Sequence, residues 1–168
     1  MVGLGDLPDG TFHSKASGIS ADGAVIVGDG RNSDGTIAFR WTAESGMIEL
    51  GDLPGGSYSS QASGVSADGS VIVGISRSTN GPEAFRWTEE TGMFGLGELP
   101  GGRYQSNARD VSADGSVVAG YGITLDDGLE REAFRWTAET GMVGLGMLAG
   151  YDYSSQAYGI SADGSVIV

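Results

Sequence analysis

Four turns of the form Ser-Ala-Asp-Gly place a carboxylate beside a glycine at Asp22, Asp68, Asp114 and Asp163. In such a turn the aspartate accepts backbone N–H groups while glycine takes a positive φ, a structural use of the carboxylate. His13, the sole histidine, adjoins Ser14, so a Ser-His-Asp hydrolase is formally available. Ser59 and Gln105 fill the matching slot in later copies, however, and we expect no catalytic residue there. The segments Asp29-Gly-Arg-Asn-Ser-Asp34-Gly and Asp126-Asp-Gly128 gather acids as a calcium loop does. Calcium needs six to eight oxygens from alternating positions. Arg31 stands where a ligand belongs and the second copy offers only Ser78-Thr-Asn80, so neither a metal nor a cofactor is expected.

Two further sets recur. Arg40, Arg86 and Arg135 each lie between a Phe and a Trp and face away from both, on the opposite side of a strand. An interior arginine is costly unless paired, so each is expected to meet a carboxylate, with Asp22, Asp68, Asp114 and Asp163 the first candidates. Tyr58, Tyr104 and Tyr153, with Phe12 in the first copy, follow the Pro-Gly-type turns. These aromatics are expected to pack beneath the turns; the alternative is a platform for a carbohydrate or a peptide.

All these positions are set by a repeat. Trp41, Trp87 and Trp136 close copies of Ala-Phe-Arg-Trp-Thr that lie 46 and 49 residues apart. A period of this size marks one supersecondary unit stacked on copies of itself, none able to bury its apolar faces alone. The units run approximately 1–46, 47–92 and 93–141, with a partial copy over 142–168 in a single repeat domain. In the second, Met47-Ile-Glu-Leu-Gly reads as a strand and Asp52-Leu-Pro-Gly-Gly56 as a turn. Ser60–Ser66 and Ser70–Gly74 are strands about the Ala-Asp-Gly turn, Ile75–Pro82 is a polar loop, and Glu83–Thr88 is a strand. The one length change between copies falls in the loop before Ala-Phe, which is therefore expected to be exposed. No segment supports a helix, because the candidates are short and stopped by glycine.

The fold expected is all-β: a β-propeller-type array of four-stranded antiparallel blades, about three and a half repeats long. Covering each blade on both sides explains strands that are apolar on both faces. A β-solenoid is the alternative, but its rungs are usually shorter and lack Asp-Gly hairpins. Because the repeat is cut mid-unit at both ends, a fragment of a longer propeller is expected. Self-association that completes the ring and closure as a small four-bladed ring are the alternatives.

Composition narrows function further. The 168 residues carry 9 Lys+Arg against 22 Asp+Glu, a net charge of −13, which argues against nucleic acid and anionic membrane surfaces. The 31 glycines recur at fixed offsets and are turn residues rather than linker. There is no cysteine, hence no disulfide framework. No stretch approaches the ~20 apolar residues of a membrane-spanning helix, and the first residues lack the pattern of a signal peptide.

The run Ser-Ala-Asp-Gly-Ser-Val-Ile-Val-Gly, then Ala-Phe-Arg-Trp-Thr, then Thr-Gly-Met-x-x-Leu-Gly, resembles WD-repeat blades in order and spacing, without their Gly-His and Trp-Asp pairs. It is more similar to the HAF family of bacterial extracellular repeats, which carry a His-Ala-Phe run, a Gly-Asp-Leu-Pro-Gly-Gly-like turn and a Gly-x-x-Val-Val-Gly strand. Ile37, Glu83 and Glu132 replace that histidine here. The resemblance implies a propeller-like protein secreted from or displayed on a bacterium, and brings no catalytic or ligand residues with it. The sialidase Asp-box is not matched, since Asp and Gly are adjacent and its aromatic is missing. The expected function is a non-catalytic structural or binding role, with a glycan or protein ligand. The alternative is a propeller-scaffold enzyme acting on glycans, which should break the repeat symmetry with unmatched polar residues at one opening. Only His13 and the insertion Leu125–Arg131 stand out as asymmetric.

Overall fold

The computed structural model describes residues 3–8, 10–124, 130–147 and 154–168, with the side chains of residues 11 and 12 excepted. The Phe12 ring, Tyr153 and the carboxylates of Asp126 and Asp127 thus lie outside the described residues. The described chain is all-β, in three antiparallel four-stranded sheets of consecutive strands. The first holds β1 (Thr11–Ile19), β2 (Ile26–Arg31), β3 (Thr36–Thr42) and β4 (Gly46–Glu49). The second holds β5 (Ser60–Val65), β6 (Ile72–Ser78), β7 (Gly81–Thr88) and β8 (Gly92–Gly95). The third holds β9 (Arg103–Val111), β10 (Val118–Ile123), β11 (Arg131–Thr137) and β12 (Gly141–Gly144). Residues 154–168 begin a fourth unit, bridged at Ile160–Ile167 and joined to the third sheet by a parallel bridge from Ser154 to Arg131.

Two local readings are corrected. Ile75–Pro82 is not a loop: β6 and β7 stay paired to Ser78 and Gly81, leaving a tight turn at Thr79-Asn80. Gly81, at φ 137°, opens β7 opposite Ser78 and closes this two-residue loop. The strand after the Trp-Thr turn also belongs with the strand before it, as Trp87↔Met93 and Trp41↔Met47 show. The sheets are therefore phased one strand later than units opening at Met47 and Met93, because the short Thr-x-x-Thr/Ser-Gly connection forces its two flanks to pair.

The faces of a sheet have different neighbours. Phe85 and Trp87 pack with Val25, Val27, Ala38 and Leu50 of the first sheet, joined by Leu53, Ala62 and Ile72. Phe134, Trp136 and Met142 pack in the same way against Val71, Val73, Ala84 and Leu96 of the second. The Phe/Trp face thus looks back to the preceding sheet, and the Ala/Arg face looks forward. Phe39, Phe85 and Phe134 are fully buried, whereas the indoles of Trp41 and Trp87 are half-buried. Burying one such phenylalanine is worth ~1.5–3 kcal/mol, so each sheet draws stability from its neighbour.

Glycine has one strict task in this stack. Gly28, Gly74 and Gly120 lie opposite the bulged register of β1, β5 and β9, where a Cβ would overlap the carbonyl oxygens of Lys15, Gln61 and Asn107.

Candidate functional site

The repeated polar residues are engaged in holding sheets together. Asp68 Oδ1 accepts from the Ser66 hydroxyl at 2.7 Å, from Ser70 N–H at 3.0 Å and from the Ser70 hydroxyl at 2.7 Å. Ser66 Oγ in turn accepts Val71 N–H at 2.9 Å. The Ser66 hydroxyl, aided by the two Ser70 donors, holds the Asp68 carboxyl at about 2. Asp114 and Asp163 are held at about 2 by the corresponding serines, and Asp22 is lowered by Ser20 and the Ala24 N–H. Carboxylates so occupied are poor proton acceptors.

These turns also form a spine between units. Ala21 N–H donates to the Ala67 carbonyl at 3.0 Å, Ala67 to Ala113 at 3.0 Å and Ala113 to Ala162 at 2.9 Å. A second lock, unforeseen in the sequence, comes from a serine at the start of each inner strand. Ser60 Oγ accepts Ala38 N–H at 3.0 Å and donates to the Gly51 carbonyl at 2.8 Å, bridging the first sheet to the second. Ser106 repeats this with Ala84 and Gly97, and Ser155 with Ala133 and Gly146. Where the resemblance has histidine, Glu83 and Glu132 accept the N–H of Gly97 and Gly146 at 3.0 and 2.8 Å.

Among the described residues the ion pairs expected of the recurrent arginines do not form. Arg86 Nε reaches the Gly115 carbonyl of the next sheet's turn at 3.4 Å. Arg40 and Arg86 share a cleft of about 570 Å³ with Asp68 and Asp114. The aspartates already carry hydroxyl and N–H donors there, and the carbonyl is the acceptor left facing the guanidinium. Every residue of this cleft's Arg–Asp set recurs in the other copies, so it is architecture.

Tyr58 and Tyr104 do not pack beneath their turns but stand 62% and 47% exposed. His13 is exposed, and Ser14 donates to the Gly5 carbonyl at 3.3 Å as an outlying version of the serine lock. Asp29 lies on β2, not in a loop, while Asn32 Oδ1 caps its own turn through the N–H groups of Asp34 and Gly35. Among the described residues no group of three His, Cys, Asp or Glu side chains converges as a metal site would need.

The repeat symmetry breaks on the forward face of the third sheet. Tyr121 holds the slot of Ile75 and Asp29, Arg131 that of Pro82 and Thr36, and Arg109 that of Ser63 and Ser17. The Arg131 guanidinium lies 5.1 Å from the centre of the Tyr121 ring, Arg109 lies 5.3 Å from the same ring, and Arg109 also lies 5.7 Å from the ring of Tyr158. Arg131–Tyr121–Arg109–Tyr158 therefore alternate cation and ring across β11, β10, β9 and the fourth unit. Arg109 Nη2 and Asn107 Nδ2 donate to the Tyr121 hydroxyl at 3.4 and 3.5 Å, while Arg109 Nε and Asn107 Oδ1 are buried without a protein partner. Asp110, where other copies have glycine, accepts Ile160 N–H at 3.0 Å and its neighbour Val111 N–H at 2.9 Å. Beside Arg109 and Tyr158 lies a cavity of about 390 Å³ reached by Lys15, Asp29, Gln61 and Ser63, within the usual range for small-molecule sites. Lys15 and Asp29 are cross-strand partners. Burial pushes the Asp29 carboxyl up, opposed by Lys15 and His13.

Stacked, four-stranded antiparallel sheets that each shelter the next define a β-propeller-type array. The comparisons agree on that fold. A putative TolB from Agrobacterium tumefaciens superposes with a TM-score of 0.63 at 18% identity, over 86% of this chain and 50% of that one. TolB from Acinetobacter baumannii gives 0.57 at 15% identity, over 84% and 34%. A structure from a study of two prolyl endopeptidases gives 0.52 at 14% identity, over 85% and 24%. The chain spans half or less of the length of these neighbours, and the likeness, with β-propeller proteins of the TolB type, is one of fold. No protein-family model and no curated protein sequence matches the chain.

Proposed function

We propose that this chain is a non-catalytic propeller-type binding module, displayed outside the cell, that presents its unrepeated polar surface to a ligand. One observation carries the reading. The repeated polar side chains are spent on locks between units, and the unrepeated ones gather on one surface as guanidinium, phenol and amide groups. Guanidinium forks, phenol rings and amides supply directed hydrogen bonds and flat faces, a set suited to holding a ligand. The neighbours' fold supports a scaffold, and the resemblance to HAF repeats supports the extracellular setting. The end faces belong to the same reading. Ala21 O and Ala162 N–H are the spine's outward groups, and a second copy could take them up as one unit takes up the next.

The test is a glycan panel incubated with the whole chain, with bound material recovered and weighed by mass spectrometry. Retention of intact glycan supports a binding module. Cleaved or eliminated product, lost when Asp29 is changed to Asn, would overturn it in favour of a glycan hydrolase or lyase.

A further inference from the structure

We infer that the Arg109 surface is a site for a uronate-bearing glycan, a ligand class that rests on the binding reading above. Arg109 supplies the cation. It forms no ion pair among the described residues, although the chain carries a net charge of −13. The adjacent carboxylate of Asp110 is turned to the N–H groups of Val111 and Ile160, and that of Asp29 lies across from Lys15. A guanidinium with a buried Nε lacking any acceptor, stacked on two tyrosine rings, is held in place before a ligand arrives. It offers a planar fork of donors that fits a carboxylate.

The rest of the surface suits a sugar rather than an acidic peptide. The adjoining cavity of about 390 Å³ is edged by Gln61 and Ser63, neutral groups able to meet hydroxyls, with Lys15 as a second cation in its lining. Tyr158 is 63% exposed, its hydroxyl donating to Gln156 Oε1 at 3.0 Å and its ring available as an apolar platform for a pyranose face. A glutamate-rich peptide shares the carboxylate but has no pyranose face to lay on the Tyr158 ring and no ring hydroxyls to meet Gln61 and Ser63.

The experiment is calorimetric titration of the whole chain with trigalacturonate, its methyl ester and triglutamate. Trigalacturonate is expected to bind about 10-fold or more tighter than the ester, which keeps every atom of the ring and removes the charge. Arg109→Gln is expected to lose about that same factor, and Tyr158→Ser, at an exposed position, about 3-fold or more. Both variants are checked for unchanged melting and far-UV circular dichroism. Equal affinity for acid and ester, tighter binding of triglutamate, or full affinity in a folded Arg109→Gln protein would each overturn the assignment. If Arg109→Gln does not fold, full affinity in the Tyr158→Ser protein does so instead. Failure of trigalacturonate alongside capture of a neutral glycan would refute the uronate site and leave the binding module standing. Turnover of any glycan would refute the module itself.

Discussion

Replacing Ser106 by Ala tests whether the serine locks hold the sheets together. Ser106 is 2% exposed, and its hydroxyl accepts Ala84 N–H at 3.0 Å while donating to the Gly97 carbonyl at 2.6 Å. Alanine strands both partners. Ala84 is fully buried, so its N–H cannot turn to water and bears a desolvation cost of ~1–3 kcal/mol. Gly97 is half-buried, and its carbonyl recovers part of the loss from solvent, adding ~0.5–1 kcal/mol. The total of about 1.5–4 kcal/mol should lower the urea midpoint by about 0.5–2 M, at the slope of ~2–3 kcal/mol/M suited to a chain of this size.

Ser155 provides the internal control. It makes the same two bonds at 2.9 and 2.8 Å, but its acceptor Gly146 is exposed. Ser155 itself is half-buried, so water can enter where the hydroxyl was and reach both the Gly146 carbonyl and the Ala133 N–H, and Ser155→Ala should cost only ~0.5–1 kcal/mol. Urea unfolding followed by tryptophan fluorescence and far-UV circular dichroism measures both. Equal shifts for the two variants would refute the dependence on burial. A Ser106→Ala midpoint within about 0.3 M of the parent would show that the lock contributes little.

Gly74→Ala should prevent folding or lower the midpoint far more than Gly46→Ala, because a Cβ at Gly74 overlaps the Gln61 carbonyl whereas one at Gly46 meets nothing and suffers only from φ 68°; expression and urea melts of the two variants decide this. The turn aspartates fold with carboxyls held at about 2, below their ordinary 3.8. A depressed folded-state value stabilises above about pH 4 and is lost as pH falls toward 2, so melting temperature should fall over that window and do so less in Asp68→Asn. Sedimentation of the chain should show association beyond the monomer, weakened by Val168→Lys at a residue 77% exposed on the last unit; a monomer at all concentrations would remove the end faces from the proposed function.

The sheets were legible because the repeat sampled each element several times over. Phe39, Phe85 and Phe134 recur with their alternation intact, and every copy of the Asp-Gly turn has the same grammar. The arginine partners were not legible. Charge balance pointed to Asp68 and Asp114, yet whether a carboxylate is free depends on its local donors, and Ser66, Ser70, Ser112 and Ser116 had already taken them. The acceptor used is a backbone carbonyl, which has no letter in the sequence. The serine lock did leave a signal, since Ser14, Ser60, Ser106 and Ser155 hold one register, but small residues in a strand read as mere alternation. At Thr79-Asn80 a polar stretch concealed a two-residue hairpin. Arg109, Tyr121, Arg131 and Tyr158 escaped for the opposite reason. Reading by consensus discards the letters that differ, and the alternation of cation and ring arises only across three strands and the fourth unit.

The position of that surface is set by the core beneath it. Between the second and third sheets the packing is dense, with Phe134, Trp136, Leu99 and Met142 filling the interface. On the forward face of the third sheet the described residues of the fourth unit place Ala157, Ile160 and Ile167 beside Ala119 and Ala133. Arg109, Tyr121 and Arg131 lie on that same face. Each cation–ring contact is worth ~0.5–1 kcal/mol where solvent reaches it, less than the ~1.5–3 kcal/mol of a buried phenylalanine. These contacts therefore add little stability to the face, and what they supply is a guanidinium whose Nε has no acceptor among the described residues. A repeat array can bear such a substitution because stability is shared between successive interfaces. Function is accordingly to be sought where the repeat is least faithful, and in this chain that is the surface around Arg109.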